Sequence, residues 1–399
     1  MRILITTFGS RGDVQPMLAL GLGLKACGQE VVIGAAPNYR AWTRELGLDF
    51  REIGGDFEPW LRRQSAGNPF SVLRSLAMYL REELPVCFAH TREAARGADL
   101  IVTTIHLAAL SAAEAEGIPC RTVLFSTQLL PSSFHPPPGL PVQSLPRLGN
   151  RVAWRAVSAA FDLLFKKGVN RERAKLGLAP IAQFLAHARG AETILAADPE
   201  LAPLPPDAAG AVQTGAMTLP ETGPLDQTLE EFLRQGPAPV YFGFGSTPDK
   251  QPEDTAGLIT EAARAAGQRA IVCAGWSGLG GAEPGPGFFA IAQAPHGLLF
   301  PRVAAVVHHG GAGTTAAALR AGAPQILIPH LGDQFFHARR VRELGVGPEP
   351  IPRGKLTALR LAAAIDEALK TEVRQRAQEL AGRLRARDGV AETIARLLP

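Results

Sequence analysis

The chain has 399 residues, 46% hydrophobic and 20% charged, which excludes a disordered chain and, at this length, favours two domains over one core. Forty-one Lys and Arg against 37 Asp and Glu leave a formal charge of +4. That charge is too dispersed for a nucleic-acid-binding protein but suits an anionic small-molecule ligand.

The chain opens on Arg2–Phe8, a short β-rich run followed by the glycine turn GSRGDVQP. The run is too short for the apolar core of a signal peptide, and no later segment reaches the length of a membrane-spanning helix, so a cytoplasmic location is expected. A helix is expected over Met17–Gly28 and a second strand over Glu30–Ala36. Strand, turn, helix and strand in this order open a doubly wound parallel sheet. The rhythm continues with a strand at Ala98–Thr104, a helix at Ala108–Gly117 and a strand at Pro119–Ser126. Buried parallel strands read as continuous apolar runs, as these do. The Pro-rich stretch Leu129–Gly149 excludes a long element; a helical region around Val152–Leu176 and a strand at Glu192–Asp198 follow.

Punctuation at Leu219–Asp226 reads as an interdomain linker. After it come strands at Pro239–Ser246, Arg269–Gly275, Gly287–Ala292, Val303–Gly311 and Pro324–Pro329, with helices near Asp254–Gly267 and from Thr314. Two helical stretches close the chain, Thr357–Lys370 and Glu372–Leu398, the second broken at Asp388–Gly389. The basic segment Arg374–Arg387 has helical spacing with apolar residues interleaved, as a solvated helix face does. Cys27, Cys87, Cys120 and Cys273 form no CxxC pair. They are expected as buried free thiols in a reducing compartment, with no metal-ligand spacing.

Chemistry concentrates in VVHHGGAGTTAAALRAGAPQILIPHLGDQ, Val306–Gln334. A strand ending at the two histidines runs through a glycine turn into a helix, whose exposed N–H groups and dipole favour a phosphate. Gly310, Gly311, Ala312 and Gly313 let the backbone approach phosphate oxygens. Thr314 can cap the helix or donate its hydroxyl, and His309 can donate from its ring to a diphosphate. A tight strand–helix turn with locally packed histidines would look the same. Asp333 and Gln334 follow the next strand at the same sheet edge, and a carboxylate beside an amide suits the neighbouring hydroxyls of a hexose. Phosphate at one loop and polyol at the next point to a nucleotide-sugar.

These residues resemble the donor signature of glycosyltransferase family 1, and GSRGDVQP is similar to its sterol and glycopeptide-antibiotic branch. The resemblance covers nearly the whole chain and implies the GT-B fold: α/β, two Rossmann-like doubly wound parallel-sheet domains facing across a cleft. The implied division is an acceptor-binding domain over 1–218, a linker over 219–226, a nucleotide-sugar-binding domain over 227–385, and a last helix over 386–399 packing back on the first domain. It further implies metal-independent, inverting transfer of a hexose, glucose above all, from a UDP- or TDP-sugar that is co-substrate and not resident cofactor. Asp13 matches the position of the catalytic base; its alternative is a cap for a helix starting near Pro16. Ser10 and Arg11 share that turn, and Arg11 either touches the diphosphate or stabilises the turn. His106, after the Ala98–Thr104 strand, is the second catalytic candidate, a polar group near the acceptor; its alternative is a structural histidine. Ser246 matches a β-phosphate contact, with Gly245 and Thr247 beside it as further donor-site candidates, while Ala294 and His296 match positions holding the base and ribose. Where plant relatives stack the base on a tryptophan this chain has Gln293, so Trp276 is the stacking candidate or a core residue.

Acceptor candidates are Phe57, Trp60, Phe70, Met78, Leu129 and Phe134, aromatic and aliphatic residues on irregular segments that suit a sterol, polyketide or flavonoid-like aglycone. Ordinary packing under long loops would use the same residues. Three functions stay open: a glycosyltransferase on lipophilic acceptors, a GT-B epimerase or hydrolase acting on its own donor, and a non-catalytic nucleotide-sugar-binding accessory protein.

Overall fold

A computed structural model describes residues 1–56, 69–221, 223–244, 252–273, 285–293 and 295–398. The first sheet contains β1 (Arg2–Thr6), β2 (Glu30–Ala35), β3 (Asp49–Glu52), β4 (Leu100–Thr103), β5 (Cys120–Leu124), β6 (Thr193–Ala196) and β7 (Ala211–Thr214). They lie in the order β3-β2-β1-β4-β5-β6-β7, every neighbour parallel. The second sheet contains β8 (Val240–Gly243), β9 (Ala270–Cys273), β10 (Phe288–Ile291), β11 (Ala305–His308) and β12 (Gln325–Leu327). Its order is β10-β9-β8-β11-β12, again all parallel. The central strands are buried through helices on both faces, which is why Ile3–Ile5 and Ala305–Val307 read as unbroken apolar runs.

In each sheet the strand order reverses beside the first strand of the unit: β1 pairs with β2 and β4, β8 with β9 and β11. Ligands of such sheets bind outside the strands' carboxyl ends at that switch point. The two motif loops leave the carboxyl ends of β1 and β11, so the topology places both at switch points.

The structure departs from the sequence expectation in several places. The first helix spans Arg11–Ala26 and takes Pro16 inside it, because Ser10 and Asp13 together organise an earlier start. Two edge strands were not expected. Asp49–Glu52 is largely exposed and Ala211–Thr214 half-covered, so neither carries a continuous apolar run. The helix at Pro69–Ala95 was likewise unexpected. Cys27 is exposed and Cys120 half-buried, against the expectation of four buried thiols; Cys87 and Cys273 are buried. Cys27 closes the C-terminal end of the first helix, where solvent reaches it.

The last helix, Gly389–Leu397, starts on Asp388, whose carboxylate accepts from Val390 and Ala391 N–H. It packs on the first helix so closely that a Cβ on Gly23 would lie 2.5 Å from Val390. Thr393 meets Thr214 at 2.9 Å and Glu392 accepts from Gly215 N–H at 2.8 Å. A shared cluster joins the two sheets' layers: Leu124, Leu195 and Leu201 pack with Leu319, Phe336 and Leu380. Beside it, buried Asp198 pairs with Arg320 at 2.7 Å.

Candidate active site

Asp13 sits in the first turn after β1. Its Oδ2 accepts from Ser10 N–H at 2.8 Å and from the Ser10 hydroxyl at 3.0 Å, the return half of a capping box. Gly9 makes room for this carboxylate. Its φ is +125°, and a Cβ there would stand 2.4 Å from Asp13 Oδ2, so only glycine fits. Oδ1 has no hydrogen-bond partner among the described residues. Burial raises the Asp13 carboxyl from 3.8 to about 6; the two Ser10 donors oppose that, and the charge of Asp333 adds to it. Capping and a free, poised oxygen therefore coexist on one side chain.

That influence of Asp333 brings the loop after β12 to the turn after β1. Other contacts span the same gap. Arg11 donates to Gln293 Oε1 at 2.9 Å, with its guanidinium 4.5 Å over the Trp42 ring. Gly139 N–H donates to Gly332 O at 2.8 Å. The carboxyl ends of the two sheets thus face each other, with Asp13 on one wall.

The opposite wall is the glycine turn after β11. The helix Ala312–Ala321 begins at Gly311 with no side-chain cap, so its first N–H groups remain available to an anion. His308 accepts from Gly310 N–H on Nδ1 at 3.1 Å, which puts its proton on Nε2 toward Gln325 Oε1 at 2.8 Å. His337 Nδ1 donates to Gly310 O at 2.9 Å. Both polar groups of the Gly310 backbone are therefore held, at a φ of +95°. His309 turns over the helix start: a Cβ on Gly311 would lie 2.6 Å from His309 Nε2. Burial, then the surrounding histidines His308, His330, His296 and His337, hold its ring well below the usual histidine range, so it is a neutral donor.

Asp333 precedes the helix Gln334–Glu343, and Gln334 is buried with its Oε1 accepting from His330 and Leu331 N–H at 2.8 and 3.0 Å. Gln334 thereby shapes its own loop through the oxygen. The turn after β1 and the loops after β11 and β12 thus all lie at the facing carboxyl ends of the two sheets.

Comparison with known proteins decides the family. Residues 3–132 match the glycosyltransferase family 28 N-terminal domain, and residues 285–398 the erythromycin biosynthesis protein CIII-like C-terminal domain. Over 100% of this chain and 97% of the relative, it is 38% identical to vancomycin aglycone glucosyltransferase of Amycolatopsis orientalis. It is 33% identical to sterol 3-beta-glucosyltransferase UGT80B1 of Arabidopsis thaliana, over 99% of this chain and 67% of that one. The crystal structure of glycosyltransferase VinC in complex with DTDP superposes with a TM-score of 0.73 at 22% identity, covering 100% and 98% of the two chains. The chain belongs to the GT-B glycosyltransferases.

Within this glycosyltransferase the remaining candidates fall in different surroundings. His296 stacks on Phe300 at 4.3 Å and is lowered to about 4 by burial, then by Arg11; Glu221 accepts from Gly297 N–H at 2.6 Å beside it. Thr314 is half-buried in the cradle helix and Gly313 exposed at its start. His106 is buried, with Nδ1 accepting from Ala108 and Ala109 N–H at 3.2 Å and its ring edge against Phe8. These bonds tie His106 to the start of the helix Ala109–Glu116. Leu129 packs against the shared interdomain cluster. Phe134 is exposed under the Arg147 guanidinium at 4.3 Å, Met78 is 58% exposed, and Phe70 belongs to the first turn of the Pro69–Ala95 helix. Phe57, Trp60, Gly245, Ser246, Thr247, Trp276 and Ala294 lie outside the described residues. A groove of about 780 Å³ edged by Arg302, Gly322, Arg374 and Gln378 lies at the amino ends of β8, β11 and β12, far from the cradle.

Sequence reasoning missed Gly9, His337 and the Arg11–Gln293 bridge. A histidine four residues after Asp333 was the available signal for His337, since i and i+4 share a helix face.

Proposed function

We propose that this glycosyltransferase moves a hexose, glucose above all, from UDP- or TDP-sugar to a hydroxyl of an apolar aglycone, with inversion at the anomeric carbon and no metal. The free oxygen of Asp13, opposite Asp333 and the uncapped helix start, is the observation that carries this assignment. As the acceptor oxygen attacks the anomeric carbon, its proton passes to Asp13 Oδ1. The bond to the diphosphate breaks on the other face. The leaving charge falls on the first N–H groups of the Ala312–Ala321 helix and on His309, fixed donors that need no rearrangement. Asp333 and Gln334 would orient the sugar hydroxyls. His106, held in a helix start, would act on the acceptor side only through its other ring nitrogen.

One relative is named for sterols and another for the vancomycin aglycone, and a preformed natural-product or sterol aglycone is the acceptor proposed here. The test is nucleotide release from UDP-glucose and TDP-glucose with sterol, glycopeptide-aglycone, polyketide and flavonoid acceptors. Anomeric coupling in the product reports stereochemistry. Acceptor-dependent release giving the inverted linkage is expected. Donor binding without release for any acceptor would overturn the proposal in favour of an accessory role, and acceptor-independent donor breakdown would favour a hydrolase or epimerase.

A further inference from the structure

A continuous helical run leads away from the Pro-rich segment: Arg147–Phe161, a wider turn over Asp162–Lys166, then Lys167–Lys175. Its inner side is ordinary core. Asn150, Trp154, Phe165 and Val169 are buried, and Trp154 Nε1 donates to His135 O at 3.1 Å. Its outer side is not an ordinary solvated face. Leu148, Val152 and Leu163 are 71%, 56% and 84% exposed. At about 100° per residue, Leu148, Val152, Ala156 and Ala159 fall within an arc of roughly 80°. Arg147, Arg151 and Arg155, spaced by four, form the ridge along one flank of that arc.

Of the twelve exposed residues in this run, six are basic and none is acidic. The two carboxylates of its outer half are turned inward. Asp162 accepts from Phe184 N–H at 2.7 Å, and buried Glu172 binds Lys175 at 2.7 Å. Arg151, Arg155 and Lys167 have no ion-pair partner among the described residues. The patch extends through exposed Val142 and through Phe134, over which Arg147 lies.

A solvated helix alternates both charge signs and keeps leucine inward. An apolar stripe with an all-cationic flank is instead the pattern of a helix lying in a lipid interface, apolar side chains below the headgroups and arginines at the phosphates. A second copy of the chain is a poor fit, since pairing this face with itself would set arginine against arginine. No helix among the described residues is long and apolar enough to cross a membrane, so the contact would be one of surface alone.

We propose that the outer face of residues 147–167 docks this glycosyltransferase on an anionic membrane surface. Docking would set the Phe134 side of the acceptor domain against the bilayer, so that an apolar acceptor enters from lipid. Only this delivery step rests on the acceptor class proposed above.

The test is co-sedimentation of the full chain with vesicles of phosphatidylcholine, alone or with about one-third phosphatidylglycerol. Binding to the mixed vesicles alone, weakening as salt rises, is expected. Each basic residue at such a surface is worth about 1 kcal/mol, or roughly five-fold, so the double variant Arg151→Glu with Arg155→Glu should lower partition at least about a hundred-fold. Leu148→Ser with Leu163→Ser should lower it about ten-fold or more at low salt. Both variants, confined to exposed side chains, should leave transfer to a dissolved acceptor unchanged. No partition onto anionic vesicles at low salt, or partition that neither variant alters, would overturn the proposal. So would a dimer in sedimentation velocity that the leucine variant dissociates. Vesicle binding with no use of vesicle-held acceptor, while dissolved acceptor is used, would sink acceptor delivery and leave docking intact.

Discussion

Replacing Asp13 by asparagine separates the two roles that meet on this side chain. The amide oxygen of asparagine can still accept from Ser10, so the helix start survives. What disappears is a charge held at a cost. Raising the carboxyl from 3.8 to about 6 corresponds to about 3 kcal/mol against the ionised form, an upper bound because the side chain is partly exposed. The native state binds the proton more tightly than the unfolded chain, so this penalty is absent below the unfolded value, grows as pH rises from about 4 to 6, and is full above. Asp13→Asn should therefore raise the midpoint of thermal unfolding by several degrees at pH 8, with the gain fading towards pH 4. Over the same change, turnover should fall about 10²- to 10⁴-fold while donor binding persists. Thermal unfolding across pH and single-turnover transfer read the two effects separately. A variant less stable than the parent at pH 8, or one within about ten-fold of its turnover, would refute the assignment of a strained base and leave Asp13 as a cap.

Four other expectations follow from the same geometry. With Asp13 as base, kcat/KM should fall about ten-fold per pH unit below about 6, and donor affinity should stay flat from pH 6 to 8 because His309 is already neutral there; a donor KM that titrates in that range would contradict the neutral cradle. Gly311 has φ −61°, which alanine adopts freely, so Gly311→Ala should leave folding intact yet raise donor KM at least about ten-fold by displacing His309; titration calorimetry with UDP and TDP checks it. His337→Phe removes the donor to Gly310 O and should weaken nucleotide diphosphate binding several-fold, with His337→Asn restoring part of it, measured by the same titration. Arg320→Ala strands the buried Asp198 carboxylate and should destabilise the fold by about 3–5 kcal/mol, seen as an early transition in denaturant unfolding.

What could be seen beforehand in the sequence follows from the range of each interaction. The strands β1, β4, β5, β8 and β11 are buried on both faces, so local composition alone marks them. The glycine turn was legible because Gly310 needs a positive φ and Gly311 closeness to a ring, both of which write themselves into residue type. Helix onset at Arg11 was obscured because Pro16 imitates a start, whereas the true start depends on a three-residue bond from Asp13 to Ser10. Edge strand β3, with sequence DFRE, has a charged pattern no alternation test would select. The acceptor candidates show a different limit: Leu129 and Phe134 stand five residues apart, yet one packs against the cluster shared by the two sheets' layers and the other lies under Arg147. An irregular backbone gives no period from which to infer a shared direction.

The helix Ala312–Ala321 explains why the two walls of the site keep their relation. Its first turn is the cradle, and its last turn carries Arg320, which binds Asp198 of the other sheet and Arg387 O near the last helix. Ten residues of helix make a rod of about 15 Å, too short to bend appreciably. Asp198 is itself fixed by Ala216 N–H at 3.0 Å, at the end of the segment leading to the linker. The orientation of the first N–H groups of this helix, the proposed diphosphate donors, relative to Asp13 is thus set at a buried ion pair on the far end of the same rod. At the near end, Arg11–Gln293 and Gly139–Gly332 complete the frame. Arg320–Asp198, Arg11–Gln293 and Gly139–Gly332 together fix the Asp13 turn relative to the start of this helix, the fixed relation that the proposed in-line displacement would require.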